Sequence, residues 1–65
     1  RRQQALDLLE ERIRMEESAV QNLSTELQKA GQRQAFERIN ELSWKIAKAQ
    51  ANLENLMAEW EKLAV

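Results

Sequence analysis

The sequence predicts an all-α fold, a two-helix antiparallel coiled-coil hairpin. Three observations predict it. Apolar residues recur at steps of three and four along the whole chain, the single glycine falls near the middle, and the apolar seam changes phase there. No alternating strand pattern competes, and the chain contains no proline. Charged residues make up 32% of it, with Ala, Leu, Glu, Gln, Lys and Arg dominating, which is the composition of long helices.

The first arm is expected over about Arg2 to Ala30. Its seam reads Leu6, Leu9, Ile13, Val20, Leu23, Leu27 and Ala30, with Glu16 as the one interruption. Written as heptads, these residues occupy positions a and d. Ser24-Thr25-Glu26 resembles a capping signal but lies inside the unbroken seam, so it belongs mid-helix. The second arm is expected over about Arg33 to Leu63. Its seam reads Ala35, Ile39, Leu42, Ile46, Ala49, Leu53, Leu56, Trp60 and Leu63. The two arms form one domain over residues 1–65, read as a piece of a larger protein.

The stretch between the arms decides the topology. A helix continued through Gly31 would place Gln34 and Glu37 on the seam, whereas the apolar positions restart at Ala35 and Ile39. That two-residue phase shift breaks a continuous coil. Reversal closes the register. Leu27 then faces Ala35, Leu23 faces Ile39, Val20 faces Leu42 and Glu16 faces Ile46. Farther out, Ile13 faces Ala49, Leu9 faces Leu53, Leu6 faces Leu56 and Arg2 faces Trp60. Glu26 and Arg38 become a flanking ion pair. Gly31 is read as the left-handed residue that stops the first helix, with the turn at 31–32 and Lys29 complementing the helix dipole. Each arm is then roughly 40–45 Å long at 1.5 Å per residue. The second helix lacks a Ser, Thr, Asp or Asn at its start and so has no side-chain cap.

Composition narrows the chemistry. Cysteine and histidine are absent, which excludes disulfides, the usual zinc ligands, thiol nucleophiles and the commonest general base. A two-helix hairpin offers no concave pocket, and no phosphate-binding loop or metal motif occurs. No catalytic residue, cofactor or metal site is therefore expected within these residues. The pairs Glu10/Glu11 and Glu16/Glu17 point in different directions on a helix and read as solvated faces. Glu10–Arg14 and Glu41–Lys45 are favourable same-helix pairs. The Glu16 carboxylate is expected to reach Lys45 or Lys48 at the seam's edge. No apolar run is long enough to span a bilayer, so the chain reads as soluble, without a membrane partner.

Several apolar residues lie off the seam. Leu8 and Met15 fall at c beside Ala5 and Ala19 at g, while Phe36 and Met57 fall at e. Trp44, Ala51 and Ala58 fall at f, with Ala47 adjacent at b. Trp44, Ala47, Ala51 and Ala58 are the candidate docking surface, for a second hairpin completing a four-helix bundle or for a larger body. The 10 basic and 11 acidic residues give a net charge of −1 and no global pull toward nucleic acid. Lys29, Arg33 and Arg38 nevertheless cluster at the tip, the candidate contact to phosphates.

The second arm also resembles a known family. Arg38-Ile-Asn-Glu41-Leu42-Ser43-Trp-Lys-Ile opens it, and Leu53-Glu-Asn-Leu-Met-Ala-Glu-Trp60-Glu61-Lys62-Leu63 closes it. The Leu-Ser element and the closing Trp-Glu-x-Leu resemble the C-terminal coiled-coil domain of ABC-F ATPases. The first arm matches only as a heptad arm. Trp44 stands where a polar residue is expected, and the tip lacks the Asp-Pro element of some members. The resemblance implies a non-catalytic arm of a cytoplasmic ATP-binding protein, with its ATP chemistry in upstream ATPase domains. It implies partners among DNA, ribosomal RNA or those upstream domains, and Arg1-Arg2-Gln3-Gln4 continuing from a linker. Trp60 would be a structural anchor near the open end, its N–H reaching water. The alternative is a purely structural, self-associating coiled-coil module, and an outside reading is the tRNA-facing arm of an aminoacyl-tRNA synthetase.

Overall fold

A computed structural model describes residues 1–65. The chain forms two helices, α1 (Arg2–Gln32) and α2 (Phe36–Ala64), that run antiparallel against each other. At 1.5 Å per residue, a helix the length of α1 extends about 46 Å. The Cα envelope of 48 × 14 × 12 Å is therefore one helix long. The fold is an all-α helical hairpin.

The three-and-four spacing accounts for the packing. Every apolar seam residue of both arms is buried or half-buried, and nearly every residue between them is exposed. Leu9, Ala30, Leu42 and Ala49 are the buried positions, and Leu42 alone has no accessible surface. So few are buried because each helix presents one stripe to one partner and no third layer covers the outside.

The turn departs from the sequence expectation. Helix α1 runs through Gly31 to Gln32, and α2 begins at Phe36 rather than Arg33. No glycine has positive φ; the left-handed residue is Gln34, at φ 56°. The backbone bonds explain why. The Ala35 N–H donates to the Ala30 carbonyl at 3.0 Å, and the Gln34 N–H donates to the Gly31 carbonyl at 3.1 Å. These are the two bonds of a Schellman cap with Gln34 as its left-handed residue. Such a cap is favoured when the residues flanking it at either end are apolar, and here they are Ala30 and Ala35. A cap centred on Gly31 would put polar Gln32 in place of Ala35 and leave Ala30 outside the helix. Continuing one turn buries Ala30 and lets Ala35 close the seam.

The helix ends are capped unevenly. Ala35 makes no side-chain cap to α2, and Glu37 is the acidic residue of its first turn. Lys29 lies in the last turn of α1. At the open end Arg2 serves as a cap from the other arm: its Nε donates to the Leu63 carbonyl at 2.6 Å, and a second guanidinium nitrogen donates to the Val65 carbonyl. Arg2 thus satisfies one of the orphan carbonyls at the end of α2, bonds the C-cap residue beyond it and joins the two arms. Thr25 bonds back to the Gln21 carbonyl at 3.1 Å, in keeping with its mid-helix place.

Candidate functional site

The tip gathers the basic residues singled out in the sequence. Lys29 leaves the last turn of α1, Arg33 caps its C-terminal end, Arg38 leaves the first turn of α2, and all three line one shallow depression of about 220 Å³ with Glu26, Ala30 and Ala35. The three cations are not equivalent. Arg38 is held by Glu26 across the helices at 3.3 Å and by Glu41 on its own helix. Lys29 and Arg33 are exposed and have no carboxylate partner. What the tip can offer a ligand is two unneutralised cations beside a third fixed in place by acids. No cluster of metal-ligating side chains accompanies them.

The ion pairs follow the expected register only in part. Glu26–Arg38 forms as the hairpin pairing requires, and Lys45 lies 3.7 Å from Glu41. The Glu10–Arg14 pair does not form; Glu10 instead accepts a hydrogen bond from the Trp60 indole at 3.1 Å. Trp60 therefore reaches a carboxylate on the facing helix rather than water. Trp60 stays half-buried in the seam, and its part-buried N–H finds an acceptor in Glu10 at the seam's edge. Glu16 is half-buried but meets neither Lys45 nor Lys48. Lys45 takes the carboxylate one turn back on its own helix, and Lys48 lies over the Trp44 ring at 5.3 Å. The Glu16 head group turns to solvent, which a two-helix coil leaves within reach.

The other surface residues are spread along the outside of the rod. Trp44 is 66% exposed, and Ala47, Ala51 and Ala58 on the same helix are exposed as well. The Lys48 ammonium covers part of the indole through a cation–π contact, an arrangement that i,i+4 spacing permits and that the sequence reading missed. Leu8 and Met15, at 59% and 67% exposure, lie on helix α1 away from Trp44 in the heptad pattern. The tip cations and the Trp44 stripe are separate surfaces.

A family model described as the ABC transporter C-terminal domain matches residues 1–64. The chain belongs to that family. The ABC transporter C-terminal domain match covers both arms and the turn, so the first arm, generic by itself, is part of the family pattern. No curated protein and no solved structure gives a significant match. In this C-terminal domain no helix is long and apolar enough to cross a membrane.

Proposed function

We propose that this C-terminal domain is a non-catalytic arm of an ABC-F type ATP-binding protein and contributes to nucleic-acid or ribosome binding. One observation carries the reading: Lys29 and Arg33, both free of carboxylates, share the tip depression with Arg38. Cations held at the far end of a rigid rod can touch phosphates at a distance from whatever body the rod's open end joins. Phosphate contacts of this kind position a protein without reading sequence.

Titration of the hairpin into fluorescently labelled branched DNA and a structured ribosomal RNA fragment, followed by anisotropy, tests this. The reading expects saturable binding whose affinity falls linearly with salt on a double-logarithmic plot. The rival reading, a self-associating module, draws on the exposed indole of Trp44 beside Ala47 and Ala51. It expects no nucleic-acid binding at low salt and a mass that rises with concentration in sedimentation equilibrium. In that case Trp44→Ala should return the chain to a monomer.

A further inference from the structure

The net charge of −1 conceals a division of charge between the two sides of the rod. In an antiparallel pair the g and c positions of both helices share one lateral face, and the e and b positions share the other. The Glu26–Arg38 pair joins two g positions, and the Trp60–Glu10 bond runs from a to e, so the contacts agree with this division. The g/c face carries Arg12, Lys29, Arg38, Lys45, Lys48 and Lys62 against only Glu26, Glu41 and Glu59. The e/b face carries Asp7, Glu10, Glu17, Glu54 and Glu61 against Arg14 alone. One side is cationic and the other anionic.

Two of the three carboxylates on the cationic side are already bound, and Glu59 alone has no cation partner. Glu26 and Glu41 are both bound by Arg38, and Glu41 is shared with Lys45. Arg12, Lys29 and Lys48 have no carboxylate partner. Lys48 rests on the Trp44 ring, which orients the ammonium without neutralising its charge. In the hairpin register Arg12 lies level with the Lys48 region of the facing helix. From there to Lys29 is about 25 Å along the axis at 1.5 Å per residue. That length matches about seven phosphates of one duplex strand at 3.4 Å spacing.

We propose that a nucleic acid lies lengthwise along this lateral face, its phosphates meeting Arg12, Lys45 and Lys48 as well as Lys29 at the tip. The anionic face then points away, and its repulsion of phosphate sets which side of the arm binds. The proposal rests on the nucleic-acid reading above and adds the orientation of the ligand to it. Phosphate is the recognised group, so DNA and RNA are separate arms of the test.

The test uses anisotropy titrations of the parent hairpin and three variants into the labelled DNA and RNA, each across a salt series. The variants are Lys45→Gln/Lys48→Gln on the cationic face, Lys29→Gln/Arg33→Gln at the tip and Arg14→Gln on the anionic face. Far-UV circular dichroism verifies that each keeps its helix content. The lateral double variant is expected to bind at least about tenfold more weakly and to lower the salt slope by about 2, one for each phosphate contact removed. The Arg14 variant should bind as the parent does. Parent-like binding by the lateral variant, with binding lost in the tip variant, would mean end-on contact: the lengthwise arrangement fails and the nucleic-acid reading stands. Equal weakening by Arg14→Gln would also overturn it, because side would then not matter. A parent hairpin that binds neither nucleic acid overturns both readings.

Discussion

Replacing Leu42 with alanine is expected to unfold the hairpin under conditions where the parent chain is folded. Leu42 is the one side chain with no accessible surface, in a rod where only Leu9, Ala30 and Ala49 join it below the surface. Truncating a fully buried leucine removes its transfer free energy and leaves a cavity, costing about 2–5 kcal/mol. A small domain has little stability to lose, and a hairpin with four buried residues has less than most. Thermal melting by circular dichroism should show the Leu42→Ala chain largely unfolded at room temperature. Leu8→Ala, at a position 59% exposed, should melt within a few degrees of the parent, because its side chain lies mostly in water in either state.

The second large effect has the opposite sign. Gly31 lies inside α1, and a methyl group there would meet nothing within 4 Å. Gly31→Ala should therefore stabilise the helix by about 0.8–1 kcal/mol. Gln34 occupies the left-handed region, which costs a residue with a Cβ roughly 1–2 kcal/mol relative to glycine. Gln34→Gly relieves that cost. Moving the glycine three residues along, as the double variant Gly31→Ala/Gln34→Gly, should add about 2 kcal/mol and raise the melting temperature clearly. Were the turn centred on Gly31 instead, the same double variant would destabilise the chain, since alanine would be forced into positive φ. The sign of the change locates the turn.

That glycine shows where the sequence was legible and where it was not. The seam could be read directly, because burial in a two-helix coil depends on little besides the spacing of apolar residues, and the observed burial follows the expected a and d positions. The helix end depended on more. Glycine is the strongest local stop, but a Schellman cap also selects its apolar flanks, and Ala30 with Ala35 moved the cap past Gly31. Side-chain partners were legible where the register permitted one choice, as for Glu26 and Arg38. Where a local and a cross-helix partner competed, the pattern did not decide. Lys45 chose Glu41 over Glu16, and Glu10 chose the Trp60 indole over Arg14. The charged sides of the rod were encoded in the heptads all along. Read along the chain, however, acids and bases look interleaved, and only the folded pairing sorts them onto opposite faces.

All of this depends on the chain turning back on itself, which also brings Arg12 alongside Lys45 and Lys48. The most direct measurement is an electron–electron distance between spin labels at positions 8 and 55, both exposed c positions on the cationic side toward the open end. Labelled chains would be diluted into an excess of unlabelled ones, so that only distances within a chain are read. The hairpin predicts a short distance, within about 20 Å, because paired helices lie only 8–10 Å apart. A distance near 70 Å, the span of one continuous helix at 1.5 Å per residue, would contradict the fold and with it the placement of every surface described above.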